Sequence, residues 1–180
     1  MQGSTTAMSA YSLFELLVTL AVASILLAVG VPSFSSVFAS NRQHAEINAL
    51  FHAIHVARKE SIMRKRVVSL CPSVDGKQCN PGRDWSSGWL MFDNIDRDEP
   101  PMVDAGEALL TVHEVDPLIQ LTANRRGFTL RATHLRATNG TFVVCDRNNR
   151  SAPRALVVSY TGRPRAARTN AQRQRYACAD

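Results

Sequence analysis

An α+β protein, with one long N-terminal helix laid against a mostly antiparallel β domain, is predicted by three features of the 180-residue sequence. Leu16 to Val31 is apolar apart from Thr19, Ser24 and Gly30. From Phe34 to Ile62 apolar residues return every three or four positions. Beyond Val67 the period changes to seven short β-rich runs separated by turn-forming residues. The composition, 45% hydrophobic and 20% charged, is that of a folded chain with room for one core.

Together with Tyr11 to Phe14, the first apolar run is long enough to cross a bilayer's hydrocarbon, which takes about 20 residues. A secretory signal would need a basic segment before the run and a small-residue cleavage site after it, and neither is present. Glu15 interrupts the run. A carboxylate at the centre of a membrane helix costs about 2.5–3.5 kcal/mol and persists where something pairs with it, so the acid implies a partner outside its own helix.

After Pro32 the pattern becomes amphipathic: Val37, Ile47, Leu50 and Ile54 recur at helical intervals, with Arg42, Glu46, Arg58 and Lys59 between them. A continuous helix of about 50 residues would be a rod of roughly 75 Å, whose first half has only other subunits to pack against. His44, His52 and His55 lie along it without an evident third ligand for a metal, so they read as exposed or capping side chains. Arg64, Lys65 and Arg66 stand where the helix dipole favours cations, which accounts for them without nucleic acid.

The stretch from Ala10 through "YSLFELLVTLAVASILLAVGVP" resembles the class III leader and first helix of type IV pilins and pseudopilins. The resemblance implies a leader over residues 1–10, cut between Ala10 and Tyr11 by a prepilin peptidase. Ala10 stands where glycine is usual, and the leader carries no Lys or Arg. It also implies a transmembrane helix over 11–32, an amphipathic helix over 33–66, and a role for Glu15, fifth after the cut, in pairing with a neighbouring subunit's amino terminus. Pro32 falls where pilin helices commonly bend. The expected location is the bacterial inner membrane, single-pass with the C-terminal domain periplasmic, and from there a pilus.

The β-rich runs begin with "VVSLC" and end with "RALVVSY", inside a β domain expected over 67–180 with a basic C-terminal tail; Asp75-Gly76, Pro100-Pro101 and Asn139-Gly140 mark turns between them. Trp85 and Trp89 beside a strand read as core rather than as base-stacking platforms. Cys71, Cys79, Cys145 and Cys178 lack metal-ligand spacing and suggest disulfides in an oxidising compartment. Of the three connectivities, the favoured one joins Cys71 to Cys79 across a short turn and Cys145 to Cys178, tying the tail to a strand.

The charge is local. The chain is formally +6, yet Arg147 to Arg175 holds eight arginines and no Asp, Glu or Lys, which leaves about −2 for the rest. Arginine's planar, permanently charged fork suits phosphate oxygens, whereas a merely solubilising surface could use lysine equally.

The succession of "ARKESIMRKRVVSLCPSVDGKQC", "DWSSGWLMFDN" and "ALVVSYTGRPR" resembles the GspH/FimT branch of minor pilins. FimT-type members from transformable bacteria carry a C-terminal G-R-x-R motif implicated in DNA binding, matched here by Gly162, Arg163, Pro164 and Arg165. On that resemblance the DNA-binding set is Gly162, Arg163, Arg165, Arg168, Arg173 and Arg175, with Gly162 turning the chain and Pro164 fixing a loop. The expected partners are DNA, other pilin subunits, the inner membrane and the peptidase. No nucleophile motif, Gly-rich phosphate loop or metal set is found, so neither catalysis nor a cofactor is expected. "DNIDRDE" lacks the glycine and later Glu of a calcium loop and reads as a solvated turn. The alternative function is a structural minor pilin that primes assembly, or a type II secretion pseudopilin, without DNA binding.

Overall fold

The computed structural model describes residues 12–132 and 137–178. The expected leader and its cleavage point at Ala10 and Tyr11 lie outside them. Helix α1 runs from Leu13 to Arg64. Ser12 caps it, its Oγ accepting the Glu15 N–H at 3.2 Å and its carbonyl the Leu16 N–H; an acid in the first turn also suits the positive end of the helix. The hydroxyls of Thr19 and Ser24 donate to the carbonyls of Leu16 and Ala21, so neither needs water within the apolar stretch. Lys65, at φ 55°, ends the helix.

The chain divides into two compact units, one up to Val37 and one from Phe38. In the first, Leu13, Phe14, Leu20, Ile25 and Leu27 are exposed. Among the described residues no helix is long and apolar enough to cross a membrane.

In the second unit α1 buries a stripe of Ala39, Gln43, Ile47, Leu50, Ile54, Ala57 and Ser61, the three- and four-residue spacing of one helix face. Two four-stranded sheets complete it. The first has the order β3-β2-β1-β5, from Leu109–Glu114, Gly88–Asn94, Val67–Pro72 and Phe128–Leu130. The second has the order β4-β6-β7-β8, from Ile119–Ala123, Gly140–Asp146, Arg154–Val158 and Pro164–Ala167. Every pairing is antiparallel, so the fold is α+β.

Trp85, Phe128 and Phe142 are fully buried between the sheets, their ring centroids 4.3–5.9 Å apart, and Trp89 stacks on His113. Edge-to-face and offset contacts of this kind add to what burial alone contributes. Glu46 joins α1 to the first sheet. Its Oε2 lies 2.9 Å from His113 Nε2, and Oε1 accepts the Asp116 N–H.

β8 lies where a loop is expected. Pro164 begins a strand rather than fixing a turn: it is buried, and Pro164–Ala167 pairs with Val158–Ala155. Proline is tolerated as the first residue of an edge strand because its missing N–H removes no inner ladder bond.

Candidate nucleic-acid interface

The β7–β8 connection is built to hold one shape. The Gly162 N–H donates to the Ser159 carbonyl, the Ser159 N–H to the Arg163 carbonyl, and the Arg163 N–H to Ser159 Oγ. Gly162 has φ 68°, the left-handed residue that closes a three-residue hairpin loop. The turn is pinned from below by the Ala137 N–H on the Tyr160 carbonyl.

Strand alternation then sorts the arginines. Arg163 and Arg165 are exposed on either side of buried Pro164, so both project from one face of the arm. Arg168 lines a groove on the α1 side with Arg154 and Ser40. The last arginines sit on a second turn: Thr169 bridges Arg175, and Asn170 Oδ1 accepts the N–H groups of Gln172 and Gln174. Arg173 occupies a left-handed position at φ 63°. A disulfide from Cys178 to Cys145 fastens this segment to β6, and another joins Cys71 to Cys79.

Among the described residues none of Arg163, Arg165, Arg168, Arg173 and Arg175 has an acidic side chain within ion-pair distance. The helix-end cations differ. Arg64 contacts Glu60 at 2.7 Å and buried Asp93 at 3.3 Å, and Arg66 reaches the same Asp93, so this pair joins the helix end to β2. His52 and His55 are exposed, the latter against Phe51.

The carboxylates of Asp96, Asp98 and Asp104 approach within 4.8 Å. The loop itself uses them: Asp98 accepts from Asn94 Nδ2 and the Met102 N–H, and Asp96 accepts the Asp98 N–H. Burial, opposed by those bonds, raises the Asp98 carboxyl above the usual range.

Two arginines join this region only in the folded chain. Arg58, on α1, brings Nη1 to 3.1 Å from where a Cβ on Gly162 would stand. Arg154, at the start of β7, donates to Ser40 Oγ at 3.3 Å. Burial and the neighbouring Arg168 both lower the Arg154 pKa. In sequence Arg154 is one of the eight unbalanced arginines, and that charge run is the only signal pointing to it; nothing local marks Arg58.

Residues 46–162 match the model of the family described as type II transport protein GspH, and the chain belongs to that family. The match ends at Gly162, so Arg163 and the later arginines lie beyond it. The fold is similar to that of the type IV minor pilin FimU of Pseudomonas aeruginosa. One crystal form gives a TM-score of 0.51 at 18% identity, covering 71% of this chain and 90% of FimU. A second form gives 0.49 at 19% identity, covering 69% and 91%. EpsH, the minor pseudopilin of the Vibrio cholerae type 2 secretion system, gives 0.49 at 9% identity, covering 70% of this chain and 96% of EpsH. No curated protein matches the chain.

Proposed function

We propose that this protein is a minor pilin most like the FimT type, which binds duplex DNA without regard to sequence and supports DNA uptake. The observation carrying this reading is the β7–β8 arm, a hydrogen-bonded hairpin that projects Arg163 and Arg165 from one face of an edge strand with no ion-paired acid among the described residues. Arginines fixed by backbone pairing lose less freedom on contact than arginines on a loose tail. Adjacent same-face strand positions are about 6.6 Å apart, a spacing that two phosphates on one strand can match. Phosphate contacts of this kind position DNA and read no bases.

In this reading the apolar residues 11–32 anchor the chain in the inner membrane after cleavage before Tyr11. Glu15 pairs with a neighbouring subunit's amino terminus, and the exposed apolar face of α1 packs on other pilins. The measurement is fluorescence anisotropy of the full-length chain in detergent with duplex DNA over a salt series. Each phosphate neutralised contributes about −0.9 to the slope of log K against log salt, so Arg163→Gln with Arg165→Gln should flatten the slope by about 1.8. Unchanged affinity and slope in that folded variant would overturn the arm as the contact, and a wild-type chain that binds no duplex DNA would overturn DNA binding. The family description as a type II transport protein favours the second reading, a structural minor pilin or pseudopilin, which stands if no DNA is bound.

A further inference from the structure

The arginine set divides between two places. Arg163 and Arg165 project from the outer face, whereas Arg168 and Arg175 wall a groove of about 390 Å³ with Arg154, Ser40 and Ser151. The groove adjoins a smaller hollow lined by His44, Asn48, Arg154 and Arg168. Two guanidinium groups that repel each other are thus held together without an ion-paired acid among the described residues. Arg154 is positioned by its bond to Ser40 across 114 residues of sequence, and Arg168 follows directly on β8. Burial and the positive charges of Arg154 and Arg168 hold the His44 imidazole below its usual range.

Resting on the DNA-binding reading above, we propose that this groove seats one phosphate of the bound strand, gripped jointly by Arg154 and Arg168 with Ser40 beside them. A single anion between the two forks relieves their repulsion and receives charge-assisted hydrogen bonds from both. Arg165 and Arg168 are three residues apart, about 10 Å along an extended strand. A backbone following the free edge of β8 therefore meets the outer pair and then the groove. Arg165 on β8 and Arg168 just after it thus lie on the outer face and in the groove, and Arg154, outside the G-R-x-R motif, completes the contact.

The test uses the full-length chain in detergent, with Arg154→Gln, Arg168→Gln and the double variant. Arg168 is exposed, so Arg168→Gln keeps the fold even if the loss of the Ser40 bond weakens Arg154→Gln. A shared seat makes the two arginines interdependent. Each single variant should weaken duplex binding about tenfold, the worth of one charged hydrogen bond. The double variant should lose less than the product of the two and flatten the salt slope by about 0.9, one phosphate. Independent losses with a slope change near 1.8 would mean two separate contacts and overturn the shared seat. Inorganic phosphate alone, followed at the His44 ring by NMR, should raise the imidazole midpoint in the wild type and not in the double variant; no rise also overturns it. A wild-type chain that binds no duplex DNA overturns the function proposed above. A DNA-binding wild type indifferent to both substitutions overturns the groove alone.

Discussion

Replacing Gly162 by alanine would place a Cβ 2.9 Å from Leu130 Cδ1, 3.1 Å from Arg58 Nη1 and 3.5 Å from Ala137 Cβ. Carbon atoms pack best at about 3.5–4.0 Å, so the Leu130 contact is an overlap. Leu130 is 1% exposed and has no open space to retreat into, whereas the Arg58 guanidinium is the far end of a flexible chain and can move. Overpacking of this kind costs about 1–3 kcal/mol, and the left-handed backbone at φ 68° adds about 1–2 kcal/mol for any residue with a Cβ. Together they amount to about 2–5 kcal/mol. At a denaturant dependence of about 2 kcal/mol per molar urea, the unfolding midpoint should fall by about 1–2.5 M. The assay is urea unfolding of the full chain in mild detergent, followed by the fluorescence of buried Trp85 and Trp89. In the absence of urea the variant should keep the salt slope of DNA binding, because Arg165 stays in register with Val157. A midpoint shift below about 0.3 M would refute the packing argument.

Opening the Cys145–Cys178 bond by Cys178→Ser should cost up to about 3.7 kcal/mol for its separation of 33 residues, against about 2.5 kcal/mol for the eight-residue Cys71–Cys79 link, so equal losses in urea unfolding would contradict the loop-entropy ordering. Glu46→Ala should destabilise by about 2–3 kcal/mol, since it strips buried partners from His113 and the Asp116 N–H. Glu46→Gln, which keeps the acceptor for Asp116, should cost visibly less in the same melts. The Asp75 carboxylate, hydrogen-bonded by the Gln78 and Lys77 N–H groups, is held below the usual carboxylate range. A lowered folded value means its contribution is complete above the ordinary range and disappears as pH falls through the lowered one; an NMR midpoint at or above the ordinary range would contradict this.

The apolar runs of the β domain were legible because each carries its own signal. Residues from "VVSLC" to "RALVVSY" alternate or cluster in the way strands require, and Ile47, Leu50 and Ile54 repeat at helical spacing and are buried, whereas Val37, Phe51 and Ile62 share that spacing and are exposed, the buried face being completed by Ala39, Gln43, Ala57 and Ser61. Trp85 and Trp89 could be assigned to the core on the same local grounds. The tail could not. "PRAA" has no β-branched or aromatic residue and starts with proline, so propensity argues for a loop; it becomes a strand because β7 offers an unpaired edge and Gly162 reverses the chain at the right distance.

The sequence by itself determined the class of fold, the excess of arginine near the C-terminus and the glycine that must turn the chain, since period, composition and φ preference are properties of neighbouring residues. Only the tertiary structure decided which arginines lie together. Ser40 and Arg154 are separated by 114 residues, and Arg58 meets Gly162 through helix-on-sheet packing; no local pattern encodes such meetings. They follow from where two sheets and a helix bury their apolar faces, and that burial divides the arginines of one short tail between an outer face and a groove.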